Sequence, residues 1–170
     1  MNKAVLYKLN YGVYIVSAPE KEGSTGCTVN SVVQITQDII AVSVNRSSYT
    51  NECIKNSRRF AISVLGIHSA PIIIGTFGFR CGRNFRKFDA VPHITVNGID
   101  IVKEACGYII CDLEQTVETD THTIFLGRMK AGELINDDEP MTYSYYHKVI
   151  RGKTPKAAPT YQAEEVKKQI

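Results

Sequence analysis

The sequence predicts a mainly β fold, a closed or partly closed barrel of short strands with a few helical excursions. Segments of strand-like composition recur along the chain with turn signals between them, the pattern of antiparallel barrels. Asn97-Gly98, between two short apolar runs, is a strong hairpin signal. A regular alternation of strand and helix is absent, which argues against a parallel doubly wound sheet.

The elements follow in order. Tyr11 to Ala18 is apolar and rich in Tyr, Val and Ile, and Pro19 to Gly23 is expected to break it. Thr25 to Thr36 has the Thr, Ser and Val content of a strand. Ile39 to Asn45 is nearly continuously apolar and suits a strand buried on both faces. Asn51 to Arg59 reads as a short helix with Ser48 or Thr50 as N-cap and Glu52 in its first turn. Phe60 to Leu65 is a strand. Ile72 to Phe79 reads as a short helix, because Pro71 suits a first helical position. Two strands lie between Ala90 and Val102, then come strands over Tyr108 to Val117 and Thr123 to Lys130, with the turn at Thr119 to Thr121. A short helix is expected over Tyr143 to Val149, followed by a Pro-containing, charged tail from Gly152.

A chain of 170 residues suits one domain with a sizeable core. Its 20 Lys and Arg against 17 Asp and Glu leave a net charge of +3, weak for a duplex-binding domain and well matched to small anionic ligands. No apolar run is long enough for a transmembrane helix, and the N-terminus lacks the h-region of a signal peptide. The expectation is therefore a cytoplasmic protein with no membrane partner. Cys27, Cys53, Cys81, Cys106 and Cys111 form no CxxC pair, so free thiols are expected. Cys106 and Cys111, an odd number apart, point to opposite faces if they share a strand.

The familiar nucleotide loops are missing: there is no Walker or Rossmann glycine pattern. No metal cluster or G-x-S-x-G elbow is visible either. Four segments carry chemistry instead. Gly26-Cys27-Thr28-Val29-Asn30-Ser31 gathers small and hydroxylated residues, which suits either a ring rich in carbonyl oxygens or a solvated strand face. Asn45-Arg46-Ser47-Ser48-Tyr49-Thr50-Asn51 joins a strand end to a helix start, where N–H groups and hydroxyls can hold a phosphate or simply cap the helix. Phe77 to Phe88 interleaves four cations with four phenylalanines. That mixture suits a dinucleotide, single-stranded nucleic acid, or a loop anchored to the core. His122, at a strand entrance, can position a ligand or serve the fold.

Together, in this order, these segments resemble the flavin reductase-like family. Cys81-Gly82-Arg83-Asn84 with Lys87-Phe88, Thr121-His122-Thr123-Ile124-Phe125-Leu126-Gly127 and Pro140-Met141-Thr142-Tyr143 complete the pattern. The ending Gly152-Lys153-Thr154-Pro155 to Tyr161 is similar to the branch with flavoredoxins and the flavin domain of high-molecular-weight rubredoxins. The resemblance implies a Greek-key FMN-binding split barrel over residues 1–161, with a charged tail at 162–170. It also implies a homodimer with FMN near the subunit interface. Thr28, Val29, Asn30 and Ser31 would contact the isoalloxazine and ribityl groups. Asn45, Arg46, Ser47, Ser48 and Thr50 would surround the phosphate, with Arg83 and Lys87 assisting there or at the interface. His122 would lie toward the nicotinamide of NADH or NADPH, although Thr121 stands where the family often carries Asp, and Cys81 where many relatives carry Ser.

The implied activity is an NAD(P)H:flavin reductase, with hydride passing from the nicotinamide to flavin N5 and on to an acceptor. No rubredoxin-type CxxC module follows Tyr161, so the acceptor would be a separate protein such as rubredoxin, or free flavin. The alternative is a flavoredoxin-like electron-transfer protein reduced by a protein partner. A nucleic-acid-binding barrel is the remaining class; the leading reading expects no nucleic acid.

Overall fold

The computed structural model describes residues 2–161. The tail expected at 162–170 lies outside them. After a 3-10 turn at Lys3–Lys8, the elements are β1 (Tyr14–Glu20), β2 (Gly23–Val29), β3 (Val32–Gln34), β4 (Ile39–Asn45), α1 (Tyr49–Ser57), β5 (Arg59–Leu65), α2 (Pro71–Phe79), β6 (His93–Val96), β7 (Ile99–Val102), β8 (Ala105–Glu118), β9 (His122–Leu134) and α3 (Tyr143–Lys148). Seven strands form one antiparallel sheet in the order β2-β1-β5-β8-β9-β4-β3, and β6 and β7 pair as a separate hairpin.

That order requires a curled sheet. β2 and β3 are its opposite edges, yet only Asn30 and Ser31 separate them in sequence. Three Cα–Cα steps reach at most about 11 Å, whereas the edges of a flat seven-stranded sheet stand roughly 29 Å apart. The sheet therefore rolls until β2 comes against β4, and the Ser43 N–H extends the β3–β4 ladder to the Ser31 carbonyl (3.1 Å) at the junction. The result is a split β-barrel, mainly β as expected.

The pleat places the core on both sides of the central strands. Val16, Ile54, Phe60, Ile62 and Phe125 fill the barrel, with α1 as its plug. Ile15, Ile74, Phe77, Met141 and Tyr146 form a second cluster under α2 and α3. The β6–β7 hairpin seals a third around Ile99, Ile101 and Ile110. It turns through Asn97 and Gly98, both at positive φ (51° and 78°), as its Asn-Gly pair predicts. The Ser17 hydroxyl donates to the Asp100 carbonyl at 2.7 Å and ties the hairpin to β1.

Three expectations are corrected. β1 does not stop at Pro19. Its pairing with β5 ends at Ser17, while pairing with β2 continues through Pro19 and Glu20; a proline is tolerated where one side of the strand has no ladder. Thr25 to Thr36 is two strands, broken at Asn30-Ser31 where the barrel closes. β4 is buried on one face only: Ile40, Val42 and Val44 point inward, while Ser43 and Asn45 line a cavity. The two short helices fall close to where proline and capping residues place them. α1 starts after Ser48 and ends at Arg58, whose left-handed φ of 59° lets its N–H close on the Ile54 carbonyl at 2.9 Å. α2 begins on Pro71, as expected.

Candidate functional site

The split in the barrel opens a cavity of about 300 Å3 between β2, the end of β4, the N-terminus of α1 and α2. Its floor is a rigid turn. Asn45 Oδ1 accepts from the Ser47 N–H (2.9 Å) and the Ser47 hydroxyl (2.7 Å), and the Arg46 N–H donates to the Thr121 carbonyl (2.9 Å). Ser48 is the N-cap of α1 in extended conformation, yet its side chain makes no capping bond. Its hydroxyl and those of Ser47 and Thr50 line the cavity at the positive end of the helix.

Lys87 supplies charge to the same space. Only 4% of it is exposed. Its Nζ donates to the Gly26 carbonyl (2.7 Å) and the Phe77 carbonyl (3.1 Å). No carboxylate pairs with it among the described residues. Burial pushes its pKa below the ordinary lysine range, opposed by the Cys27 and Cys81 sulfurs. Cys27 is pushed the other way: burial raises its pKa, and Lys87 and the Thr50 and Ser48 hydroxyls only partly offset this. A buried ammonium with one N–H to spare and no anion beside it is a ready receptor for a phosphate.

At the far wall stands His122, 8% exposed. Its Nδ1 bonds the Thr121 hydroxyl at 2.8 Å, while Nε2 is buried with no hydrogen-bond partner. Burial lowers the pKa of the ring, and the nearby Ala157 backbone only partly counters it. A histidine whose pKa is lower in the fold than the ordinary 6.5 stabilises the fold fully above that value. That contribution fades as pH falls below it. We expect wild type to lose urea resistance between pH 7 and pH 5, and His122→Gln to lose less over the same interval. Equal pH slopes would contradict the placement of the ring.

The roof is the segment from Pro155 to Thr160. Pro155, Ala157, Ala158 and Pro159 cross the cavity. The Asn45 Nδ2 donates to the Ala157 carbonyl (3.0 Å) and the Asn30 Nδ2 to the Thr160 hydroxyl (2.8 Å).

The structure thus brings Thr28, Val29, Asn30, Asn45, Ser47, Ser48, Thr50, Lys87 and His122 together. It does not bring in Ser31, which bonds Asn30 Oδ1 and faces a second, shallower cleft. Arg46 turns to Glu118 and the Thr119 carbonyl. Arg83 pairs with Glu52 and lies over the Tyr49 ring. Two of the four phenylalanines of the basic segment serve packing, Phe77 and Phe88, buried edge-to-face at 4.8 Å; Phe85 carries the Arg80 guanidinium, and exposed Phe79 lines the cavity. Sequence reasoning missed Tyr143 and the roof. The paired prolines 155 and 159 around Ala157-Ala158 were the available signal, but they read equally as a tail.

A curled antiparallel sheet open along one side, with a buried lysine and the start of α1 at the opening, defines a split-barrel fold. The chain belongs to the flavin reductase like domain family, whose model matches residues 6–153. It is 39% identical over 165 residues to the high molecular weight rubredoxin of Moorella thermoacetica, covering 95% of this chain and 72% of that one. It is 35% identical over 165 residues to the ferric-chelate reductase (NAD(P)H) of Archaeoglobus fulgidus, covering 95% and 98%. Among solved structures, the NADH:FAD oxidoreductase of Streptomyces globisporus superposes with a TM-score of 0.73 at 21% identity, over 81% of this chain and 83% of that one. The flavoredoxin of Methanosarcina acetivorans gives 0.70 at 18% identity, over 78% and 79%. These two structural likenesses bear on the fold.

Proposed function

We propose that this chain is an NAD(P)H-dependent flavin oxidoreductase that works with FMN. The observation that carries this is the buried, carboxylate-free Lys87 facing the same cavity as the hydroxyls at the start of α1. The donor set fits FMN: Ser47, Ser48 and Thr50 with the α1 N–H groups for the phosphate, and Thr28 to Asn30 along the ring and ribityl chain. When bound, FMN supplies the chemistry, accepting a hydride from the nicotinamide. The protein's part is to orient and desolvate. Ile74 and Phe77 form an apolar wall. Lys87 stabilises negative charge, and His122 Nε2 offers an unused polar atom on the nicotinamide side.

Residues 1–161 act as one domain in this reading, and NADH or NADPH is the donor. Exposed Val33 and Ile35 beside the edge strand β3 support pairing with a second copy as a homodimer. Five free thiols support a cytoplasmic, reducing setting. The acceptor is a protein such as rubredoxin, or free flavin. Visible absorption of the purified protein and its steady-state oxidation of NADH and NADPH test this together. Flavin bands released as FMN, with turnover on either donor, are expected; a colourless protein that ignores added FMN overturns it.

The second reading, a flavoredoxin-like carrier reduced by a protein, is favoured by one feature. Thr121 precedes His122, and the Ala157 backbone approaches its ring. FMN binding without turnover on either nucleotide would select it.

A phosphate role for the α1 turn has its own test. Replacing Ser47 and Thr50 together by Ala removes two hydroxyl donors. FMN affinity should fall roughly ten-fold or more, with riboflavin affinity unchanged. Equal losses for both ligands would make the turn merely structural.

A further inference from the structure

Residues 152–161 make almost no regular structure, yet their bonds are specific and reach across the whole site. His147 Nδ1 donates to the Gly152 carbonyl (2.9 Å), and the Tyr146 hydroxyl to the Lys153 carbonyl (3.2 Å). The Tyr143 hydroxyl lies 2.8 Å from the Thr154 hydroxyl and accepts from Thr160 at 2.9 Å. Thr160 in turn accepts from Asn30 at 2.8 Å. One set of proton positions satisfies this line: Asn30 to Thr160, Thr160 to Tyr143, Tyr143 to Thr154. A single phenol therefore pins both ends of the segment.

The segment leaves α3 through a sharp, closely packed turn. Arg151 sits in the left-handed region at φ 58°, and the next residue packs so tightly that a Cβ on Gly152 would come 1.9 Å from the Tyr146 ring. The segment also occupies groups a ligand would use, since the Asn30 and Asn45 amides are spent on Thr160 and Ala157. The cavity it leaves, about 300 Å3, is at the bottom of the range for ligand pockets. Sheet and helix form the other walls, so a ligand enters and leaves from this side.

We propose that Gly152–Tyr161 is a strap that swings about Arg151-Gly152 and closes over bound flavin, with the Tyr143 hydroxyl as its latch. The flavin is then retained between turnovers instead of exchanging as a free substrate. The proposal rests on the FMN reading above and deepens it. Tyr143 is a positioning residue here, acting through Thr154 and Thr160.

The test measures FMN release by the recovery of free-flavin fluorescence on dilution. It uses the full chain, Tyr143→Phe, Thr160→Val, and the chain ended after Arg151. Tyr143→Phe keeps the ring, which packs against His147 at 4.3 Å, and removes only the latch. Release is expected to quicken roughly ten-fold in each point variant, and further in the shortened chain, with melting temperatures of the point variants near wild type. Trypsin should cut after Lys153 and Lys156 faster in Tyr143→Phe than in wild type. Unchanged release and unchanged cutting in folded Tyr143→Phe and Thr160→Val overturn the strap while leaving the flavin reading intact. Failure of the full chain to bind FMN overturns both. If the shortened chain does not fold, the two point variants decide.

Discussion

Lys87→Met should lower FMN affinity roughly a hundred-fold while leaving riboflavin affinity nearly unchanged. A charge-assisted hydrogen bond to phosphate in a partly dry site contributes about 3 kcal/mol, which is two decades of affinity. The cost to the fold is small because two effects oppose. Methionine leaves the Gly26 and Phe77 carbonyls, which Lys87 now satisfies, without a partner. It also removes a buried charge with no carboxylate beside it, which is itself unfavourable. Isothermal titration with FMN and with riboflavin checks the first statement, and urea unfolding the second. Equal losses for both ligands would move the cation from the phosphate to the ring.

The same variant fixes the sign of a pH effect. An anion is held by the charged form of Lys87, whose pKa burial holds below the usual lysine value. FMN affinity of wild type should therefore fall as pH rises through that lowered pKa, and Lys87→Met should show no such fall. Bound phosphate raises the lysine's affinity for its proton, so the fall is shifted to higher pH when FMN is already present.

Why the sequence could not separate Lys87 from Arg83 lies in the surroundings. Both stand in one basic, aromatic run, and composition assigns them the same charge. Which of them is buried depends on partners far away in sequence: Glu52 holds Arg83 outside, and the carbonyls of Gly26 and Phe77 draw Lys87 in. Arg46 leaves the turn before α1 for Glu118 in the same way. Strands, by contrast, were readable from local composition, and β4 begins and ends where its apolar run does. Its burial was misjudged, because Ile39 and Ala41 make the run look continuous although one face borders the cleft. The 152–161 segment's place over the cleft was not legible for a physical reason. It has no periodicity, and the two groups that carry it across the cleft, Asn30 and Asn45, are more than a hundred residues away.

The resemblance motif around His122 also hid a packing residue, and substituting it should damage the fold severely. Gly127 lies on β9 between β8 and β4, paired with Leu113 and Ile40. A Cβ there would come 2.5 Å from the Phe60 ring and 2.7 Å from the Cys111 Cβ. Phe60 is fully buried at the barrel centre and Cys111 belongs to the rigid central strand, so neither has room to retreat. Gly127→Val should destabilise the protein by about 3 kcal/mol, the upper end for overpacking a core. Denaturant unfolding would read it as a lower midpoint with unchanged slope. The cause can be separated from β9 backbone effects by a second change. Phe60→Leu shortens the ring that meets the new side chain, so the double variant should be more stable than the sum of the two single losses predicts. Strict additivity would mean that the glycine is needed for the strand's conformation and not for the approach of Phe60. In that case the ordered motif from Thr121 to Gly127 would owe its form to the barrel wall, and His122 alone would connect it to the cleft.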